Sequence, residues 1–369
     1  MHNILLVSGT RPEIVKLAPV YHAMVRDVRI RVRWLHTGQH TAMAQQILEC
    51  FNITPDFSLV RRGTSLTEFS VGCREQLDAV MAGESWSGVV VQGDTESAFL
   101  GALSAFYNHI PVAHVEAGLR TYNLERPFPE EGLRQMIGRL TRFHFAPTMR
   151  ARAALVGEGI PKQDIYVTGN TVVDAQLWSR KYKGIERRTT GRGHLLATVH
   201  RRENWGSDVE AIYLAIADIA IAHPELDVLF PVHLNPVVKE PAHAILGRYP
   251  NVKLVEPLDY LQMQQALADA WLVLTDSGGL QEEAPTFGVP LLVLRTETER
   301  PEAVESGCAA LIGTERAAIV RKVEELWHDE AAYQAMQHVA NPFGDGAASQ
   351  RIVTVLNEQL PAARKRAAA

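Results

Sequence analysis

Long apolar runs, cysteine pairs and an excess of positive charge are all missing from this 369-residue chain. No apolar stretch of about 18 residues occurs, so no membrane-spanning helix is expected. Cys50, Cys73 and Cys308 stand far apart with no CxxC spacing. A cysteine-based zinc site is therefore not expected, and a reducing cytoplasm is the simplest location. Each cysteine reads by default as a small buried apolar side chain. Lysine and arginine total 37 against 42 aspartates and glutamates, a formal charge of -5. That mild acidity argues against a nucleic-acid partner, which wants a basic face. Met1–Val7 enters a strand-like run at once, without the basic region and cleavage site of a signal peptide. GxGxxG, GxxxxGK[ST] and HExxH are absent, so a dinucleotide fingerprint, a P-loop and a zinc helix are unsupported, and no metal is inferred. Aromatic residues are scattered, with no RNA-stacking stripe.

What remains is 46% apolar, enough for sizeable cores, over a length comfortable for two domains. Short apolar runs alternate with helix-like segments. Strands are expected at Asn3–Val7, Val32–His36, Val89–Gln92, Val112–Val115 and Phe143–Ala146, and again at His194–Thr198, Asp227–Pro231, Val252–Val255, Leu272–Thr275 and Leu291–Leu294. Between them helical spacing recurs, as at Phe99, Leu103 and Phe106. Such alternation means α/β domains with doubly wound parallel sheets, here two domains facing a cleft. The expected division is 1–170 and 171–348, with a helix at about 349–363 (Ile352, Leu356 and Leu360) packing back on the first domain. Ser179–Gly193 is basic and aperiodic and reads as a surface connection, and the tail Arg364–Ala369 reads as frayed.

The richest stretch is Pro111–Gln135, with Asp94 just before it. It holds Glu116, Glu125, Glu130 and Glu131 among His114, Arg120, Arg126 and Arg134. Asp94 and Glu116 fall at the carboxyl ends of neighbouring strands, where open α/β sheets bind ligands. Any one of these glutamates is more often a surface ion-pair member. The whole set points to acid/base chemistry on an anionic substrate.

Two segments suit phosphate. Gly9-Thr10-Arg11-Pro12-Glu13, with Lys16 following, places a glycine and two cations at a strand-to-helix turn, although Lys16 alone reads equally as a solvated helix residue. Thr275-Asp276-Ser277-Gly278-Gly279 supplies an N-cap and two glycines before Glu282 and Glu283. Glu283, one turn on, is the choice to accept ribose hydroxyls, and an ordinary capped helix is the weaker reading. His200, at another strand end beside Arg201 and Arg202, suits a diphosphate contact or an acid/base, or a plain turn cap. His233, Arg295 and Arg300 also follow strands.

Eight motifs in order, GTRPE with Lys16, TGQH (37–40), GDT (93–95), HVEAGLRT (114–121), PEE (129–131), HRREN (200–204), TDSGGLQEEAP (275–285) and ERPEA (299–303), resemble the non-hydrolysing UDP-N-acetylglucosamine 2-epimerase family over roughly residues 3–312. The resemblance implies two Rossmann-like domains of the GT-B type with substrate between them, a homodimer, and reversible interconversion of UDP-GlcNAc and UDP-ManNAc without NAD, metal or other cofactor. Carried over by motif, it implies Asp94, Glu116, Glu130 and His200 as the catalytic set. Arg11, Lys16, Arg134, Ser277, Gly278, Gly279, Glu283 and Arg300 would hold UDP or sugar.

The implied chemistry suits those residue types. The C2 proton of a 2-acetamido sugar adjoins no carbonyl, so direct deprotonation leaves an unstabilised carbanion. Eliminating UDP gives a 2-acetamidoglucal, to which UDP re-adds as a proton arrives on the other face. Carboxylates on both faces and cations around the diphosphate are required. At least one of Asp94, Glu116 or Glu130 is therefore expected to be buried with a raised pKa.

Gln39, Arg201 and His233 match a second, regulatory UDP-GlcNAc site of substrate-activated relatives. Ala42 and Gly63-Thr64 depart from the glutamine and Arg-Gln pair found there, which predicts loss or alteration of that regulation. Met263 stands where many relatives place a phenylalanine near the uracil. The alternatives are an epimerase of a related UDP-2-acetamido sugar, a GT-B glycosyltransferase, which the carboxylate set disfavours, and a non-catalytic nucleotide-sugar sensor.

Overall fold

The structure is a computed structural model that describes residues 1–40, 42–189, 191–201 and 204–360. Thr41, Thr190, the tail from 361, and Arg202 and Glu203 of the HRREN motif lie outside the described residues, as do the side chains of Ala42 and Met43. The chain forms two units. Unit 1 comprises Met1–Ala175 with the stretch from Gly344 onward, and unit 2 is Gln176–Phe343. Among the described residues no helix is long and apolar enough to cross a membrane.

Among the described residues, unit 1 is built on seven strands: β1 (His2–Ser8), β2 (Ile30–His36), β3 (Phe57–Ser58), β4 (Gly88–Gln92), β5 (Val112–Val115), β6 (Phe143–Ala146) and β7 (Ile165–Val167). They pair in parallel in the order β3-β2-β1-β4-β5-β6-β7. Ile4–Val7 are fully buried, as a strand covered by helices on both faces requires. The helices that matter for the site are α1 (Arg11–Val25), α2 (Ala42–Cys50), α3 (Leu66–Gly83), α4 (Glu96–Tyr107) and α5 (Glu130–Leu140). Pro12 sits in the first turn of α1, where its missing N–H forfeits no helical bond. Trp34 is fully buried and donates its indole N–H to Ser8 Oγ at 2.9 Å. The C-terminal helix Ala348–Gln359 completes this unit. Its first-turn N–H groups at Ser349 and Ala348 reach Asp174 at 2.7 and 3.3 Å, and Asn357 donates to Asp27 at 2.6 Å.

Unit 2 repeats the plan with six parallel strands among its described residues: β8 (His194–Thr198), β9 (Val228–Pro231), β10 (Val252–Val255), β11 (Ala270–Thr275), β12 (Leu291–Val293) and β13 (Ala309–Leu311). Their order is β10-β9-β8-β11-β12-β13, and the core gathers Tyr213, Phe230, Leu272 and Leu274. Both sheets are doubly wound, as the alternating pattern predicts. Three strands escaped the sequence: β3, β7 and β13. All three are sheet edges of 2, 3 and 3 residues, partly exposed and so without an unbroken apolar run. One expectation is corrected. Ser179–Lys183, read as connection, is the last part of the helix Thr171–Lys183. The rings of Trp178 and Tyr182 lie one turn apart with centroids at 5.0 Å and planes tilted by 40°, and Arg180, Lys181 and Lys183 suit the negative end of the helix dipole.

Candidate functional site

Each sheet reverses its winding between its first strand and the neighbour on the far side: β1 and β4 in unit 1, β8 and β11 in unit 2. At such switch points adjacent loops diverge and leave a crevice beyond the strand ends. The sequence candidates gather at both places.

In unit 1, Asp94 follows β4 and Glu116 follows β5, on strands that pair as far as Gln92 with Val115. Glu116 is buried and adopts a left-handed backbone, φ 66°, which a β-carbon disfavours. Lys16 of α1 donates to its carboxylate at 2.6 Å and Gln92 at 2.5 Å. Asp94, part-exposed, accepts from Arg134 of α5. Of the pair opening α5, Glu131 is fully buried. It accepts from the backbone N–H groups of Thr121 and Tyr122 at 2.9 and 3.1 Å and from Gln135 at 2.8 Å. Burial pushes the Glu131 carboxyl up, but those donors and Arg134 outweigh it and hold it below the usual range. Glu131 thus pins the HVEAGLRT segment, and Glu130 is the half-exposed partner. Arg11 is exposed at the start of α1. Gln39 accepts from Ser97 Oγ and Ser97 N–H at 2.6 and 3.2 Å.

Sequence reasoning missed two supporting groups here. Glu13 is fully buried, and burial pushes its carboxyl up to about 7 against the hydrogen bonds it accepts. His114 is also buried. Its Nε2–H donates to the Gly93 carbonyl at 2.7 Å, and burial pushes its pKa down to about 3, so it is a neutral support under the GDT turn. Glu13 carried a visible signal: three residues after Thr10, it stands where a capping box places its glutamate.

In unit 2 the organiser is Asp276, first residue after β11, fully buried and not singled out from sequence. It accepts from the backbone N–H of His200 at 3.0 Å and of Arg201 at 2.8 Å, and from Asn204 Nδ2 at 3.1 Å. His200 Nδ1 lies 3.1 Å from its other oxygen. Burial alone would raise Asp276, but His200 and the N–H groups prevail and hold it below the usual carboxylate range. The pairing fixes the Nδ1–H tautomer of His200 and leaves Nε2 to act on a ligand. His233, exposed, lies nearly parallel to His200 with ring centroids 6.4 Å apart. Ser277 N-caps the Gly278–Glu283 helix, Gly278 is buried and Gly279 exposed. A β-carbon on Gly278 would stand 3.3 Å from Arg201 Nη2. Glu282 is buried against Arg300 Nε at 2.5 Å, while Glu283 accepts from Gln264 at 2.6 Å. Arg295 donates to Glu299 at 2.7 Å, and Arg201 stands 3.5 Å from the same carboxylate. The unit therefore offers backbone N–H groups, an oriented imidazole and several guanidiniums at one strand edge, a fit for a diphosphate. Among the described residues, no group of three or more His, Cys, Asp or Glu side chains is placed to hold a metal ion.

Comparison with known proteins decides the lineage. The model of the family described as UDP-N-acetylglucosamine 2-epimerase matches residues 22–357. The chain belongs to that family. It is 44% identical to the UDP-N-acetylglucosamine 2-epimerase of Salmonella typhimurium, over 96% of this chain and 98% of that protein, and 44% identical to that of Escherichia coli K12 over the same shares. Among solved structures, the UDP-GlcNAc 2-epimerase of Neisseria meningitidis bound to UDP-GlcNAc matches with TM-score 0.88 and 39% identity, over 97% of this chain and 100% of that one. The Methanocaldococcus jannaschii enzyme in complex with UDP-GlcNAc and UDP matches with TM-score 0.78 and 33% identity, over 96% and 99%. The glycotransferase of kitacinnamycin, at 16% identity and TM-score 0.66, shares the fold alone. The epimerase family's pair of Rossmann-like units of GT-B type is thus the architecture here.

Proposed function

We propose that the protein reversibly epimerises UDP-GlcNAc to UDP-ManNAc at C2 by elimination of UDP to a 2-acetamidoglucal and re-addition of UDP. The observation that carries this reading is the pair of carboxylates beyond β4 and β5, Asp94 held by Arg134 and Glu116 held by Lys16 and Gln92, in a chain of this family. One carboxylate takes the C2 proton as the C1–O bond breaks and UDP departs. A second donor protonates the opposite face of the 2-acetamidoglucal as UDP returns to C1. Asp94, Glu116 and Glu130 are the acid/base candidates, with His200 acting near the leaving diphosphate. Arg11, Lys16 and Arg134 in unit 1, and Ser277, Gly278, Gly279, Glu283 and Arg300 in unit 2, bind the nucleotide sugar. Helices α3 and α4 expose Val71, Phe106 and Tyr107, which supports a homodimer. A nucleotide-sugar substrate and three cysteines, Cys50, Cys73 and Cys308, far apart and without CxxC spacing, support a cytoplasmic location.

Gln39, whose amide oxygen is taken by Ser97, together with Ala42 and Gly63-Thr64, supports loss or alteration of substrate activation at the regulatory site to which Gln39, Arg201 and His233 would belong. Proton NMR of the protein with UDP-GlcNAc in D₂O tests the whole reading. UDP-ManNAc carrying deuterium at C2 is expected, and UDP-ManNAc offered alone should react without a trace of UDP-GlcNAc. Free ManNAc plus UDP would mean a hydrolysing enzyme instead. No reaction at all would favour a different UDP-2-acetamido sugar or a binding role.

A further inference from the structure

Three loops meet at the start of α1, and one buried side chain sits among them. Glu13 Oε2 accepts from the backbone N–H of Gly9 at 3.1 Å and of Thr10 at 2.7 Å. Its other oxygen, Oε1, accepts from Thr95 Oγ1 at 2.8 Å. Thr95 in turn N-caps α4 by accepting from Ala98 N–H at 3.1 Å, so its single hydroxyl proton is committed to Glu13. The neighbourhood has no slack. A β-carbon on Gly9 would lie 1.9 Å from Ser97 Oγ and 2.4 Å from Thr37 Oγ1, and those two hydroxyls bond each other at 2.7 Å.

Thr95 directly follows Asp94. One turn further along α1, Lys16 holds Glu116. The same helix therefore grips the segments that carry two of the candidate acid/base groups, through Glu13 on one side and Lys16 on the other. We propose that Glu13 is a positioning residue, fixing the Gly93-Asp94-Thr95 turn against the Gly9–Thr10 turn so that Asp94 keeps its place relative to Glu116. This rests on the epimerase reading above. The ionised carboxylate is the form that satisfies all three donors at once. An amide in its place would present an NH₂ to Thr95 and lose that bond.

The test compares wild type, Glu13→Gln, Thr95→Val and the double variant by C2 hydrogen–deuterium exchange and steady-state turnover of UDP-GlcNAc, with UDP affinity and Tm measured alongside. A displaced reacting group lowers kcat by about 10- to 100-fold. The expected result is that fall in both single variants with KM and UDP affinity within about threefold, and a double variant no slower than the worse single one. Thr95→Ser, which keeps the hydroxyl, should lose less than Thr95→Val. Unchanged kcat in a folded Glu13→Gln protein, or losses that add in the double variant or appear only in KM or Tm, would overturn the proposal. Should Glu13→Gln fail to fold, the Val against Ser contrast at Thr95 decides by the same readout. A wild type that exchanges no C2 proton sinks the epimerase reading and this proposal with it, whereas an active wild type with an equally active Glu13→Gln sinks this proposal alone.

Discussion

Units 1 and 2 place their candidate groups at the same point of the same winding, but they hold them by opposite means. In unit 1 the acids are held by side chains reaching across from other elements: Arg134 to Asp94, Lys16 and Gln92 to Glu116. In unit 2 a single buried carboxylate, Asp276, gathers main-chain N–H groups, and its arginines lean on Glu282 and Glu299. The first scheme suits groups that must exchange protons, because each charge has a counter-charge already in place. The second suits a ligand that keeps its charge throughout and needs donors of fixed geometry. Chemistry should therefore be fragile to side-chain changes in unit 1, and affinity in unit 2.

The strongest way to break this contrast is Glu116→Gln. Turnover should fall by about 10²- to 10⁴-fold with UDP affinity nearly unchanged, measured by NMR exchange and calorimetric titration. Comparable loss of UDP binding would show that unit 1 also governs affinity. Next comes Asp276→Asn, which leaves a single oxygen for four donors and turns an NH₂ toward some of them in a buried place. A loss of about 1–3 kcal/mol in stability and a clear weakening of UDP binding are expected. If kcat fell while UDP affinity held, the division of labour would be wrong.

A third comparison concerns pH. Glu13 has a folded-state pKa of about 7 against 4.5 for the free side chain. The native state thus binds its proton more tightly than the unfolded chain does. Relative to Glu13→Gln, the wild type is best placed below pH 4.5 and loses stability as pH rises from 4.5 to 7, by about 3 kcal/mol in all. Denaturant midpoints of the two proteins across that range should diverge in this direction. Parallel curves would mean that Glu13 titrates near its free value.

Much of the plan was readable in advance because a central parallel strand is apolar on both faces, as at Ile4–Val7 and Leu272–Thr275. Edge strands β3, β7 and β13 left no such mark. The site was legible in part for the same reason: Asp94, Glu116 and Ser277 interrupt apolar runs at strand ends, where a polar residue stands out. Glu13 shows locally only as a capping-box acid, and nothing local separates it or Asp276, as buried carboxylates with several donors, from ordinary acids beside a helix start. Their partners lie up to 82 positions away, as Thr95 does from Glu13, and only folding brings them together. The segment Ser179–Lys183 misled because its own residues are polar, basic or aromatic, whereas the apolar buried part of its helix, Val172, Val173 and Ala175, lies in the turns before it.

Asp174 and the helix Ala348–Gln359 have a bearing on synthesis. Unit 2 is one continuous stretch, whereas unit 1 waits for residues that leave the ribosome after all of unit 2 has emerged. Until then Asp174 lacks the N–H groups of Ala348 and Ser349, and the places of Ile352, Val353 and Leu356 in the core are empty. Domains fold as they are delivered. A chain ending at residue 343 and released from the ribosome should resist protease within 176–343 while 1–175 is still cut. The order of maturation is then inside-out, with the portion translated first completed last.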